Sequence, residues 1–520
     1  MIPHGCTPMI SADSMRNLDS ETKLFNTENK GFSSPVEAGY SLMKEAGAAL
    51  YKKTREILGN KKSVVAVFVG GGNNGGDGLV LATLLIEAGI PCIVFSLVKP
   101  ENFKNEARMA YEDFSASNGK LIYTDGKLPL LPGFSLVVDC MLGNGATGEL
   151  RPAYAQAVET INSRGIPVLA ADAPTGFDSL DHHRGKICIN ASETMIFGLP
   201  RLDAYTGEGS SVFGNVCVAP LHYPQELIES HCENLYLATE NLISELLPRR
   251  NESGDKRSQG SAMVIAGSGN MTGAAALSTE AALRSGAGLV TLATPKSILP
   301  VMQAKLSEPV FCGLGSRDCE QLSVSHIPLL QEKAQRQNAI AIGPGLGTAS
   351  ETQEAVQAFL AGLKTPVVID ADAINACDTA FFQLQKRPAN AIITPHKREW
   401  ERNFGPLPTN ENRYPEYLRQ FAKNFNAVIL LKSSPIYIAQ PDGNFFVVPA
   451  KNSGMAKGGS GDVLTGIIVS LLAQGLTTTN AAILGALLHQ KAGRITREKL
   501  GPYSMLPSDI LQNLHLAFCK

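Results

Sequence analysis

Apolar positions along this chain follow two alternating rhythms, helical stretches with a period near 3.6 and short unbroken β-branched runs. Together they predict an α/β protein. Residues 11–25 and 36–58 read as helices, and in the second Leu42, Met43, Ala46 and Leu50 fall on one face. The first strand signal is the continuous run VVAVFV at 64–69, of the kind expected for a strand covered on both faces in a parallel sheet. A glycine-rich segment follows it, then an apolar helix through Leu79, Leu81, Leu84 and Leu85. Further strands are predicted at 92–97, 136–139 and 168–172, with closing strands near Met195 and over 212–218. The pattern lapses over 221–234, which divides the chain into domains 1–227 and 228–520. A second α/β series then runs through 262–266, 339–342, 367–369, 391–393 and 428–431, while the polar stretch 249–260 reads as a mobile loop.

Composition narrows the function more than the fold. The 520 residues are 44% hydrophobic and 18% charged, with a formal net charge of −2. That balance gives no electrostatic case for nucleic-acid or anionic-membrane partners and favours a small-molecule ligand. Ten cysteines are spread singly, without a C-x-x-C pair or zinc-type spacing, so neither a disulfide framework nor a structural metal is indicated. No leader or membrane span is evident, and a cytoplasmic location is expected.

Two glycine-rich anion cradles carry the candidate chemistry, GGGNNGGDG at 70–78 and AKGGSGD at 456–462. Each precedes an apolar helix, where crowded backbone amides and the helix dipole favour a phosphate. In the first, Gly70, Gly72 and Gly75 satisfy the dinucleotide fingerprint G-x-G-x-x-G, but the second strand ends in SLVK without the ribose-binding carboxylate. An ordinary NAD-dependent dehydrogenase is therefore disfavoured. Asn73, Asn74 and Asp77 add carboxamide and carboxylate oxygens suited to ribose hydroxyls or a hard cation. Asp139 and Asp172 stand at strand ends, which converge on the ligand crevice of an open α/β sheet; either alone is also an ordinary helix cap.

The segments SLMKEAGAAL, GGGNNGGDGLVLA, DCMLGNGATGELRP and DAPTGFD, spread over most of residues 10–220, resemble the N-terminal epimerase domain of the NAD(P)H-hydrate repair family. The resemblance implies a Rossmann-like three-layer domain. It implies that Asn73, Asn74, Gly75, Gly76 and Asp77, with Gly143, Asn144, Gly145, Ala146, Thr147, Gly148 and Glu149, hold the hydrated dinucleotide. It further implies that Asn74, Asp139 and Thr175 ligate potassium, Thr175 keeping the hydroxyl of the more usual serine. Epimerisation needs a group that both gives and takes a proton, and Asp172 is the candidate.

In the second cradle Gly458, Gly459 and Gly461 close around the start of the helix VLTGIIVSLLAQG. Asp462, in its first turn, is placed as a base for phosphoryl transfer, ionised with help from the helix dipole. No Walker motif is present, which excludes an ordinary P-loop NTPase. AGSGNMTGAA, ALRSGAGLVTLATP, IGPGLG, VVIDADAIN, IITPHKRE, LLKSSP and GMAKGGSGDVLTGII resemble, in order, the ribokinase-like ADP- or ATP-dependent NAD(P)H-hydrate dehydratases over residues 235–520. The resemblance implies that Ala274, Gly345, His396 and Asp462 contact the hydrate, and that Lys432, Ser433, Ser434, Pro435, Ile436 and Gly461 hold the adenine nucleotide. It implies Mg2+ with the nucleotide, phosphorylation of the hydrate hydroxyl, and elimination of phosphate. Ser433 stands where the family usually has glycine, which leaves the choice of ADP or ATP open.

Other residues have plainer readings. His396 has the composition context of a surface histidine apart from its TPH setting, His182 and His183 read as solvent-exposed, Trp400 as a packing residue, and Asp370 and Asp372 as structural or magnesium-organising. The expected function is a bifunctional repair enzyme that epimerises R and S hydrates and dehydrates the S form. A homo-oligomer is compatible with it. The alternatives are a ribokinase-like small-molecule kinase, releasing a stable phosphorylated product, and a non-catalytic N-terminal scaffold.

Overall fold

The computed structural model describes residues 5–59, 63–126, 133–250, 252–384 and 390–519. The chain divides into two compact units. One comprises Pro8–Glu233 with Asn410–Asn412, and the other comprises Asn234–Thr409 and Arg413–Lys520 with a short N-terminal piece.

In the first unit, β-branched runs form a seven-stranded parallel sheet. Its spatial order is Asn215–Ala219, Glu193–Phe197, Val168–Ala171, Phe134–Cys140, Val64–Val69, Cys92–Ser96 and Leu121–Tyr123. The order in which the chain adds strands reverses between Val64–Val69 and Phe134–Cys140, which run parallel, and a ligand crevice is expected at the carboxyl ends of those two strands. Val65, Val67, Phe68 and Val69 have no solvent exposure, because helices cover both faces. The helix Ala12–Asn29 is capped by Ser11 and the helix Pro35–Leu58 by Ser34, each accepting from a backbone N–H three residues on.

Two local readings change. Asn73 to Asp77 are the first turns of the helix Asn73–Glu87, with Gly72 as its N-cap, and not part of a loop. Residue 212 closes a short helix, Gly209–Val212, and the final strand starts at Asn215.

Gly75 serves packing directly. A Cβ there would lie 1.9 Å from the Gly70 carbonyl oxygen, and one at Gly76 would meet the Met43 thioether and the Ala107 backbone. Because the obstacle at Gly75 is backbone, Gly75→Ala is expected to destabilise this unit by about 1–3 kcal/mol, measurable as a lowered melting transition.

The second unit's sheet places Leu235–Leu237, Phe445–Val448, Ile436–Ala439, Ala427–Leu431, Ala391–Ile393, Val367–Ile369, Ala339–Ile342, Ser261–Ile265, Leu289–Pro295 and Val310–Leu314 side by side. Ile436–Ala439 is antiparallel to both neighbours and the other pairs are parallel. Here the reversal lies between Ser261–Ile265 and Ala339–Ile342. The apolar helix Ser460–Ala473 is almost wholly buried. It comes so close to the helix Thr272–Arg284 that a Cβ at Gly466 would lie 2.1 Å from the Ser278 carbonyl oxygen. Among the described residues no helix is long and apolar enough to cross a membrane.

Candidate active sites

The first unit holds a cavity of about 520 Å³ at its switch point, lined by Gly72, Asn73, Asn74 and Asp77 from the helix start and by Gly143, Asn144, Gly145 and Ala146 from the loop after Phe134–Cys140. Asp172 completes this group. Thr147, Gly148 and Glu149 instead line an adjoining cavity of about 360 Å³, with Gly71, Arg151 and Tyr154. Gly75 and Gly76 line neither. A Cβ at Gly72 would meet nothing within 4 Å, so this glycine leaves the helix N-terminus open to a ligand.

Asp172 is held tightly for a residue just past a strand. Its backbone sits at φ 63, a left-handed conformation costing about 1–3 kcal/mol for a non-glycine residue. One carboxylate oxygen is ion-paired with Nη1 of Arg201, and the other accepts from the Asn144 N–H at 2.7 Å. Arg201 is fully buried and also bonds Asp203 (Nε to Oδ1, 3.1 Å) and the Asp172 carbonyl (3.0 Å). Neither Arg201 nor Asp203 was singled out from sequence, although an Arg-x-Asp within the apolar run FGLPRLDA was the available signal. Asp77 has no comparable support. Burial, then the charges of Asp172 and Asp19, push its carboxyl well above the ordinary carboxylate range.

Behind this cavity Asp139 is completely buried and bonded to neutral groups. Thr175 donates to it through Oγ1 at 2.7 Å and through its N–H at 2.8 Å, and the Met141 N–H donates at 3.2 Å. Burial pushes Asp139 up to about 6 in spite of these bonds. Both side-chain polar atoms of Asn74 are buried without a hydrogen-bond partner. An unpartnered amide oxygen, a buried carboxylate and a hydroxyl form a hard-oxygen donor set that fits a monovalent cation.

His182 departs from expectation. It is buried, with Nδ1 2.9 Å from the Thr206 hydroxyl, because the short hairpin Phe177–Asp178 and His183–Arg184 turns it inward; burial lowers its pKa. His183 is exposed and pairs with Glu208.

In the second unit the residues singled out at Ala274 and Gly345 come together at the switch point: a Cβ on Gly345, whose φ is 63, would lie 2.9 Å from the Ala274 Cβ. Lys432 follows the strand Ala427–Leu431 and points into a charged cluster. Its Nζ donates to Asp370 Oδ1 at 2.6 Å and lies 3.9 Å from Glu399 Oε2. Thr465, one helical turn beyond Asp462, donates to the other Asp370 oxygen at 2.5 Å. Burial alone would lower the Lys432 ammonium, but Asp370 and then Glu399 more than offset it and hold it above the ordinary lysine range. Replacing Lys432 with Met leaves Asp370 buried without its cation, so Lys432→Met is expected to cost about 3–5 kcal/mol, checked by urea unfolding.

A Cβ on Gly461 would lie 3.2 Å from Lys432 Nζ, so the ammonium stands against the start of the glycine-bounded helix. A Cβ at Gly458 would meet nothing within 4 Å, and Gly459 takes a left-handed φ of 99 as the N-cap. Asp462 lies in that first turn. The helix dipole predicts an ionised group, yet burial first, and Asp370 next, push it up to about 7 against the pull of Lys432. His489 braces the cradle from behind, with Nε2 3.3 Å from the Ser460 hydroxyl; burial, helped by Lys432, lowers it to about 4 and keeps it neutral.

His396 is half exposed and caps the helix Lys397–Phe404. Nδ1 accepts from the Glu399 N–H at 3.0 Å while Glu399 accepts from the His396 N–H at 2.8 Å. It pairs by a β-bridge with Lys432, which brings it to the same cluster. The Ser433 hydroxyl donates within its own turn to the Pro435 carbonyl at 2.5 Å, and the Ser434 hydroxyl donates to the Ala450 carbonyl. Ile436 is buried at the start of the antiparallel strand. Asp372 accepts from the Gly347 N–H at 2.8 Å, and between it and Asp370 stands Ala371 at φ 48. Trp400 is fully buried against Phe404, Tyr417 and Phe421. Among the described residues no three His, Cys, Asp or Glu side chains converge as a metal site.

Residues 39–202 match the family model described as YjeF-related protein N-terminus, and residues 262–516 match that described as NAD(P)H-hydrate dehydratase. The chain is 36% identical over 458 residues to a bifunctional NAD(P)H-hydrate repair enzyme of Moorella thermoacetica, covering 86% of each chain. It is 31% identical over 467 residues to the one of Thermofilum pendens, covering 88% of each. A crystal structure of the ADP/ATP-dependent NAD(P)H-hydrate dehydratase of Bacillus subtilis is 30% identical, with a TM-score of 0.47 over 54% of this chain and 96% of that one. With two family models matched in succession and relatives at 30% identity or more aligned over most of its length, the chain belongs to the family of bifunctional NAD(P)H-hydrate repair enzymes, which combine epimerase and dehydratase activities.

Proposed function

We propose that the two crevices act in sequence on one damaged cofactor, the first inverting the hydrated ring carbon and the second dehydrating the S epimer with an adenine nucleotide. The observation that carries this reading is the pairing of two unlike carboxylates with two glycine-bounded helix starts. Asp172 is fixed by Arg201 and the Asn144 N–H beside the Asn73 to Asp77 helix start, and Asp462 stands beside Lys432 in the Gly458 to Gly461 cradle.

In the first crevice Asn73, Asn74, Asp77 and residues 143–146 hold the nicotinamide end, and Thr147, Gly148 and Glu149 carry the dinucleotide into the adjoining cavity. Asp172 gives a proton to the oxygen on the hydroxyl-bearing carbon as it leaves, and takes one back when water adds. Asn74, Asp139 and Thr175 would hold potassium, which would neutralise the buried Asp139 and satisfy the Asn74 amide oxygen.

In the second crevice Ala274, Gly345 and His396 position the hydrate, and Lys432 to Ile436 with Gly461 position ADP or ATP. Asp462 takes the proton of the substrate hydroxyl as phosphate is transferred to it, and loss of that phosphate regenerates the reduced ring. Asp370 and Asp372 are already committed to Lys432, Thr465 and the Gly347 N–H. Mg2+ would therefore fit as an ion carried by the nucleotide phosphates, supplying charge neutralisation there.

The test is product identity. Incubation of the S hydrate with ADP or ATP should yield reduced dinucleotide and inorganic phosphate in equal amounts. A phosphorylated product that persists would instead establish the small-molecule kinase reading. Asp139→Ala should abolish the response of epimer binding to potassium over sodium.

A further inference from the structure

The cavity of the first unit is closed by residues outside the stretch 39–202 that matches the N-terminal family model. They include Arg16, Asp19 and Lys23 from the helix Ala12–Asn29, and Tyr223 from the segment after the last strand. The Tyr223 hydroxyl donates to Asp19 Oδ1 at 2.5 Å, and Lys23 is tied to Glu106 at 2.6 Å. The cavity thus has three carboxyls from two origins. Asp172 follows the strand Val168–Ala171 and Asp77 lies in the first turns of the helix Asn73–Glu87, while Asp19 comes from the helix Ala12–Asn29, ahead of Val64–Val69 in the chain.

Inverting a carbon that bears a hydroxyl next to a ring nitrogen has a strict proton balance. The nitrogen lone pair forms a C=N bond as the C–O bond breaks, and the departing oxygen takes a proton from an acid and leaves as water. Water then forms a C–O bond on the other face, returns the C=N electron pair to nitrogen and gives its proton to a base. The reverse reaction exchanges the roles, so each face needs one group able both to give and to take a proton.

Resting on the assignment of Asp172 above, we propose that Asp19, oriented by Tyr223, is the second proton-transfer residue of the epimerase and serves the ring face opposite Asp172. Its setting suits the task. Burial pushes Asp19 up to about 6, the Tyr223 hydrogen bond opposes this, Asp172 adds to it, and Lys23 and Arg201 oppose it; Asp77 faces the same space. A group titrating there is present in both forms near neutrality.

The experiment uses the full chain, one purified epimer and no nucleotide, with the approach to epimer equilibrium followed by chromatography in 18O-labelled water. Asp19→Asn should slow epimerisation by about 10²–10⁴-fold, as loss of a general acid–base does. Dehydration of the S epimer by the same molecule should be unchanged, which reports a folded chain. Tyr223→Phe removes a bond that favours the Asp19 carboxylate, so it should move the acidic limb of the pH profile to higher pH. Wild-type product should carry solvent oxygen. Asp19→Asn at wild-type rate beside an inactive Asp172→Asn, an unmoved limb in Tyr223→Phe, or retention of the original oxygen would overturn the proposal. An active Asp172→Asn would overturn instead the assignment on which it rests. If Asp19→Asn does not fold, the Tyr223→Phe limb and the label decide.

Discussion

Asp462→Asn is expected to lower nucleotide-dependent dehydration by about 10²–10⁴-fold, the usual consequence of removing a general base, while leaving epimerisation at its wild-type rate. The amide keeps the shape and the first-turn position but cannot accept the hydroxyl proton. Burial and Asp370 hold this carboxyl at about 7, so the sign of the pH dependence follows. Above pH 7 the carboxylate is the main form and the rate should be level. Below it the rate should fall about tenfold per pH unit as the base is protonated. Thr465→Val releases Asp370 from its hydroxyl partner without touching Asp462, and should alter this limb more than the plateau. The measurement is kcat/KM for the S hydrate between pH 5.5 and about 9, a span set to bracket that pKa.

Asp172→Asn is expected to remove epimerase activity to a similar extent. The change should not unfold the unit, because Arg201 keeps its bonds to Asp203 and to the residue 172 carbonyl, and an asparagine oxygen can still accept from the Asn144 N–H. What is lost is the ability to take a proton. Circular dichroism and the retained dehydratase activity of the same molecule separate this outcome from misfolding. Removing Arg201 is a different experiment: Arg201→Met strands Asp203, which is fully buried, and should cost stability as well as activity.

The parts of this account that sequence made legible are those governed by local rules. Val64–Val69 and Ala339–Ile342 were readable because a fully covered parallel strand is a continuous apolar run bounded by glycine or polar residues. Strands such as Leu289–Pro295 and Phe445–Val448 were not. Thr291, Thr294 and Pro295 interrupt the first, and the second is short and pairs antiparallel with a neighbour that no local signal identifies. The glycine cradles were visible as motifs, but their mechanics were not. Gly75 is required by the backbone of Gly70, whereas Gly72 and Gly458 open toward ligand, and one letter covers both cases.

The same division holds for the charged residues. Asp172 and Asp462 sit in recognisable motifs. Asp19 and Tyr223 meet at the first cavity across 204 positions of chain, Arg201 reaches Asp172 across 29, and Asp370 joins Thr465 across 95. His182 shows the opposite failure, since a polar local context concealed a buried, hydrogen-bonded imidazole. Proton position is likewise a property of the fold: the helix start argued for an ionised Asp462, and desolvation with neighbouring carboxylates proved the larger effect.

The most direct measurement incubates the full-length protein with an equal mixture of the two hydrate epimers and ADP or ATP, following reduced-nicotinamide absorbance. Complete recovery is predicted for the wild type. Asp172→Asn should stop after the S epimer is consumed and then proceed only at the uncatalysed rate of epimerisation. A wild-type reaction that halts at half recovery, or an Asp172→Asn reaction that runs to completion at the wild-type rate, would contradict the account.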